Sequence, residues 1–165
     1  MSRELRLIQF LLVISMVLLA TTGVRWWVER SLIVGTPVPV VGEIVRLTRG
    51  ENSGIAFSLL ENSPFVPWLS ALALMVTVYY LSRPLQSYRL GNLMLGLVMG
   101  GGLANLLDRM DDSSVTDYID VAIGTWRFAT FNLPDTAVVI GVTLSFWFLS
   151  RTKPVEPLVP SPMPT

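Results

Sequence analysis

The chain has 165 residues, no histidine, no cysteine and one lysine, Lys153. A Ser-His-Asp triad, a thiolate nucleophile, a His or Cys metal site and a disulfide are therefore excluded, and a Ser-Lys pair would need that one residue near the C-terminus to reach a site. Polar chemistry falls to carboxylates. Asp117 lies in Val115-Thr116-Asp117-Tyr118-Ile119-Asp120-Val121, a setting too apolar for a solvated loop charge, whereas Asp111 and Asp112 read as ordinary loop charges. Asp117 and Asp120 are three apart, so helix and extended chain would orient them differently, and the spacing alone does not choose. Asp135 follows Phe131-Asn132-Leu133-Pro134. Proline is tolerated in a first helical turn, which makes Asn132 an N-cap and puts Asp135 where the helix dipole favours its ionised form. Stabilising a helix end is the competing reading of Asp135. Two acids in close contact cannot both ionise; one keeps a proton while the other activates water, as in an aspartic protease.

Apolar residues make up 52% of the chain and charged ones 15%, too few charges for a water-facing surface. Leu7 to Val24, Asn62 to Ser82 and Leu90 to Leu107 are free of charge, and Phe128 to Ser150 contains only Asp135. A span needs about 20 residues, so the fold class expected is an all-α integral membrane protein with four transmembrane helices, near 7–28, 63–82, 90–108 and 132–150, in one domain over 1–153. Thr136 to Ser150 is too short to cross alone, which draws Asp135 inside the membrane boundary, where an ionisable group suggests function. The first run is longer than a signal-peptide core and continues into Trp26 and Trp27, so an uncleaved helix is expected although Thr21-Thr22-Gly23 resembles a cleavage site.

Arg3, Arg6, Arg83, Arg89, Arg151 and Lys153 flank the spans on one side against Glu4 and Glu156. That side is cytoplasmic by the positive-inside rule, with both termini there. The opposite face receives the longer connections, and residues 32–61, with Val38, Val40, Ile44, Val45 and Leu47 among Pro37, Pro39, Gly42 and Gly50, read as a small extracytoplasmic β-sheet. The tail 154–165, rich in proline, is expected to be disordered and cytoplasmic. Twelve acidic residues balance twelve basic ones, which argues against nucleic acid as a partner. Gly96 and Gly100 form a G-x-x-x-G pair suited to close helix packing. Asn105, Asp108 and Arg109 share one face at the outer end of the third span; an interfacial ion pair and a direct role in a site are equal readings of Asp108 and Arg109.

Four blocks resemble the bacterial lipoprotein signal peptidases, also called signal peptidase II. Asn52-Ser53-Gly54-Ile55-Ala56-Phe57-Ser58 is similar to that family's N-x-G-A-A-F, and Gly101 to Arg109 to its G-G-A-x-G-N-x-x-D-R. Val115-Thr116-Asp117-Tyr118-Ile119 resembles V-V-D-F-I, and Phe131-Asn132-Leu133-Pro134-Asp135-Thr136 resembles F-N-x-A-D-S. The resemblance implies cleavage of prolipoprotein signal peptides before a diacylglyceryl-modified cysteine, with Asp117 and Asp135 as the catalytic pair. It implies Asn52, Gly54, Asn105, Arg109 and Asn132 as substrate-binding residues, no cofactor and no metal, a lipid-modified prolipoprotein and membrane lipids as partners, a monomer in the bacterial inner membrane, and a lipopeptide antibiotic as inhibitor. Where the family has D-x-x-[ST]-K at the end of span one, this chain has Thr21-Thr22-Gly23-Val24-Arg25. Arg25 stands for the lysine and the acid is missing. Ala104 replaces a glycine, and Pro134 an alanine.

Asp135 is the candidate base and Asp117 the proton donor, with substrate entering sideways and the sheet clamping it by backbone pairing. Tyr118, Trp126, Phe128 and Phe131 read either as acyl-chain contacts or as interfacial anchors. Rival readings are an inactive paralogue that binds lipoproteins without cleaving them, suggested by the missing acid, and a small transporter using both aspartates as a proton relay.

Overall fold

The computed structural model describes residues 2–55, 59–85 and 88–151. Ala56, Phe57 and Ser58 of the first block, Lys153 and the tail 154–165 lie outside the described residues. The described elements are α1 (Arg3–Ser31), β1 (Val38–Val41), β2 (Val45–Asn52), α2 (Val66–Leu85), α3 (Arg89–Asp112), β3 (Val115–Ile123), β4 (Trp126–Arg127) and α4 (Leu133–Arg151). Among them, α1, α3 and α4 are long and apolar enough to cross a membrane. Leu12 and Leu19 on α1, Trp68 and Met75 on α2, and Phe146 and Trp147 on α4 are all more than half exposed. Such apolar surface suits contact with lipid rather than water.

Helix α3 is the centre of the bundle, and its small residues set how closely the others approach. A Cβ at Gly96 would lie 2.7 Å from Val13 Cγ1, and one at Gly100 would lie 2.8 Å from Val17 Cβ, so this pair seats α1. On another side a Cβ at Gly101 would stand 2.4 Å from the Pro134 carbonyl oxygen, and Gly141 of α4 meets Val98 and Met94 in the same way. Glycine spacing thus draws the first turn of α4 against the middle of α3. Leu81, Leu85, Met94, Leu95 and Val98 form a buried cluster at the other end of α2 and α3.

The four strands form one antiparallel sheet in the order β1-β2-β3-β4, at the end of the bundle where α1 and α3 finish and α4 begins. It is larger than residues 32–61 could supply, because the second connection contributes β3 and β4. Gly124 and Thr125 join those two strands, with Gly124 at φ +62°, a conformation that favours glycine at such a hairpin. Val28 of α1 and Leu32 at its C-cap pack with Tyr118, Leu47, Ile119 and Leu133, fastening the sheet to the bundle.

Because β3 is extended, Asp117 and Asp120 point to opposite faces. Asp120, 5% exposed, accepts from Arg46 Nε at 3.0 Å and Nη2 at 2.7 Å, from Arg127 Nη1 at 2.8 Å and from Thr48 Oγ1 at 3.3 Å. One carboxylate therefore ties β2, β3 and β4 together. Burial would raise its pKa, but the hydrogen bonds and charges of the two arginines outweigh that and hold it below the usual carboxylate value. A depressed folded pKa contributes stability above the unfolded value, near 4, and loses it as pH falls through the folded value. Asp120→Ala should lower stability by about 3 kcal/mol at neutral pH. The difference from wild type should shrink on acidification, as followed by thermal unfolding in detergent.

Asp112, read from the sequence as a loop charge, is the last residue of α3 and accepts a hydrogen bond from Arg25. Ser113 then ends the helix at φ +59°, its N–H donating to the Arg109 carbonyl at 3.1 Å. The helix gains its extra turn because Arg25 offsets the acids that cluster at its C-terminus.

Candidate active site

Asn132, at the N-cap of α4 and 1% exposed, is the hub of the site. Its Oδ1 accepts the Asp135 N–H at 2.8 Å, while Asp135 Oδ2 accepts the Asn132 N–H at 3.2 Å. This reciprocal cap, with an aspartate at the third helical position, explains locally why Asn-Leu-Pro-Asp starts a helix. The Asn132 amide nitrogen also donates to Asp117 Oδ1 at 2.9 Å and to Asn105 Oδ1 at 3.2 Å. Asn105 in turn donates to Asp135 Oδ1 at 2.6 Å. Capping and site formation are thus two uses of one side chain.

Asp117 reaches this cluster from the sheet. β3 pairs with β2 so that Gly50 lies opposite Asp117 and Asn52 opposite Val115. Asn52 Nδ2 donates to Asp117 Oδ2 at 3.0 Å, and Asn52 Oδ1 accepts the Gly54 N–H at 3.0 Å. On the other edge Phe131 bonds with Ile119 in both directions, at 2.7 and 3.1 Å, bringing the chain before α4 alongside β3. Asp117 is 6% exposed. Burial pushes its carboxyl up to about 6; the charge of Asp135 adds to this, while Asn52, Arg109 and Asn132 oppose it. Asp117 therefore keeps a proton well above the ordinary aspartate range.

Arg109 lies one helical turn after Asn105. Its Nη2 donates to the Gly54 carbonyl at 2.8 Å and its Nη1 to the Asn105 carbonyl at 3.3 Å, while its buried Nε has no partner among the described residues. Asn52, Arg109, Asp117, Phe128, Phe131 and Asp135 line one cavity of about 300 Å³. Arg109, Asn105 and Asp135 also border a groove of about 430 Å³ that runs between α2 and α4 along Leu69, Ala73, Leu74, Val138 and Val139.

The structure brings together Asn52, Gly54, Asn105, Arg109, Asn132, Asp117 and Asp135. Residues 13–151 match a family model described as signal peptidase (SPase) II. The chain belongs to the signal peptidase II family. A lipoprotein signal peptidase of Geobacillus kaustophilus is 34% identical over 123 residues, covering 74% of this chain and 80% of the relative. One from Geobacillus thermodenitrificans is 30% identical, covering 86% and 89%. Among solved structures, a bacterial membrane enzyme determined by the in meso method at 2.3 Å is similar in fold, with a TM-score of 0.69 at 20% identity, covering 89% of this chain and 94% of the other.

Two residues that the sequence left between alternatives lie away from the cavity. Asp108 shares a helix with Asn105 and Arg109, yet it turns to α1, where Arg25 Nη1 donates to it at 2.5 Å. Arg25 also donates to Glu29 at 2.6 Å, and Thr116 Oγ1 donates to Glu29 at 3.2 Å, which links the network to the residue before Asp117. The missing family acid falls at Thr21, which is buried and donates to the Leu18 carbonyl at 3.0 Å. Arg25 therefore has its carboxylates without it. Glu29 escaped the sequence reading, although its i,i+4 spacing from Arg25 was a usable signal. Tyr118, grouped with the possible acyl contacts, faces away from the cavity: it is 4% exposed and its hydroxyl accepts the Leu133 N–H at 3.0 Å. Phe128 and Phe131 do line the cavity and stand edge to face, with ring centroids 6.2 Å apart.

Proposed function

We propose that this chain is an intramembrane aspartic endopeptidase that removes signal peptides from prolipoproteins, cutting before the diacylglyceryl-modified cysteine. The observation that carries this reading is the shared hold on two carboxylates, Asp117 buried and Asp135 half-buried. Asn132 donates from its side chain to Asp117 and from its backbone to Asp135, and both acids border one cavity. Membership of a family whose relatives are named lipoprotein signal peptidases supplies the substrate class.

Asp135, at the positive end of the α4 dipole, takes a proton from water as that water's oxygen bonds to the scissile carbonyl carbon. Asp117 gives its proton to the carbonyl oxygen, forming a neutral tetrahedral diol. On collapse the C–N bond breaks, the proton held by Asp135 passes to the leaving nitrogen, and Asp117 recovers its own from the hydroxyl that becomes the new carboxyl. The cycle ends with both carboxyls as they began. Arg109 Nε, without a partner among the described residues, offers a donor for a substrate backbone carbonyl away from water. The apolar groove between α2 and α4 suits a signal-peptide helix entering from the bilayer, and Phe128 and Phe131 suit an acyl chain.

In this reading α2, 20 residues long, is a fourth span, near residues 63–82, joining spans near 7–28, 90–108 and 132–150. The chain is monomeric in the inner membrane with both termini and the tail 154–165 cytoplasmic. The dyad lies near the outer face, where a lipopeptide antibiotic would compete with substrate.

The test is incubation of the purified chain with a lipidated precursor and with the same precursor unlipidated, the products being read by mass spectrometry. The reading expects a fragment beginning at lipidated cysteine from the first alone. No cleavage by folded protein, or a cut elsewhere, would overturn it. A pH profile adds a signed prediction. Asn52 hydrogen-bonds the charged form of Asp117 and so holds its pKa down; Asn52→Ala should lower the rate and shift the alkaline limb to higher pH. An unmoved limb would contradict the role given to Asp117.

A further inference from the structure

At the end of the bundle away from the dyad, a cleft of about 360 Å³ lies between the first turns of α1 and α3 and the last turns of α2. Its rim carries Arg3 and Arg6, and its polar wall carries Ser82 and Asn92. Neither arginine has an ion-pair partner among the described residues. The buried Nδ2 of Asn92 also lacks a hydrogen-bond partner there, as does Gln9 Oε1, so these two amides do not satisfy each other. A buried donor left unpaired is costly. The cleft floor is different in kind: Phe10, Val78 and Leu95 belong to the apolar cluster between α1, α2 and α3.

The field at this place favours an anion. Both α1 and α3 begin here, and α3 has no side-chain cap hydrogen bond at its N-terminus. The positive ends of two helix dipoles therefore add to two guanidinium charges. Two cations, a spare amide donor and an apolar floor match a molecule with a phosphate head and hydrocarbon chains. A basic pocket between membrane helices is a setting in which anionic lipid head groups bind.

We propose that this cleft binds an anionic phospholipid, with Arg3 and Arg6 on the phosphate, Asn92 donating to a head-group oxygen and the chains lying over Phe10, Val78 and Leu95. The site is separate from the dyad and does not depend on the catalytic reading.

The experiment titrates the purified full chain in detergent with phosphatidylglycerol or phosphatidylcholine and counts bound lipid by native mass spectrometry. Phosphatidylglycerol should bind more tightly, and Arg3→Gln and Arg6→Gln should each weaken it about five-fold. Asn92→Leu, which keeps every charge, should also weaken it. Arg83→Gln is the control, because Arg83 stacks on Tyr79, 4.3 Å from the ring, outside the cleft; it should leave binding unchanged. Equal binding of the two lipids would overturn the proposal, as would an Arg83→Gln loss equal to that of Arg3→Gln, which would mean diffuse charge attraction. Displacement of phosphatidylglycerol by inorganic phosphate would assign the cleft to free phosphate instead.

Discussion

Asp135→Asn should abolish cleavage of a lipidated precursor, by on the order of 10³- to 10⁴-fold, while the protein still folds. The amide is nearly isosteric with the carboxylate and can still accept the Asn132 N–H, so the first turn of α4 survives. What it cannot do is take a proton from water. Asp117→Asn should be as damaging for the complementary reason, since it cannot supply a proton to the carbonyl oxygen. If Asp135 acted only at the helix end, its amide variant would cleave at near the wild-type rate. Far-ultraviolet circular dichroism and unfolding temperature separate lost chemistry from lost fold.

Asn132→Ala is the second large effect, and its two components can be separated. The substitution removes the α4 cap, worth about 1 kcal/mol. It also takes a hydrogen bond from Asp117 and another from Asn105, leaving the buried carboxylate one donor short at a cost of about 2 kcal/mol. With Asp117 no longer held to α4 through the Asn132 side chain, the two acids lose their mutual placement. A misplacement of about 1 Å is enough for roughly a 10²-fold loss of rate. Asn132→Ser restores a capping oxygen but no amide donor, so it should recover about 1 kcal/mol of stability and little activity. Parallel recovery of both would reduce Asn132 to a helix cap.

The legible parts of this site are those written in local pattern. Asn132, Pro134 and Asp135 announce a helix start, and the same reciprocal cap holds the carboxylate in the cavity. Asn105 and Arg109 are one turn apart and border the same groove, as their spacing required. Asp108 shared that spacing and was not separable from them, because its partner, Arg25, is 83 residues away. The conformation around Asp117 was undecided for a related reason. Its strand is made by pairing with β2 across a long connection, and only that pairing sends Asp117 to the cavity and Asp120 to Arg46 and Arg127. Tyr118 was left between two readings because aromatic character does not reveal which face of a strand is covered by α1. Thr21 and Glu29 illustrate the same limit, since a lost acid at one position is answered by carboxylates on two helices.

The central claim is that Asp117 and Asp135 work as one unit. Its most direct test is the cleavage rate of a lipidated precursor by Asp117→Asn, Asp135→Asn and the double variant, all purified and shown to be folded. The account predicts that each single variant falls to the same residual rate as the double, because either loss disables the pair. Near wild-type turnover by either single variant, or losses that simply multiply in the double, would contradict it.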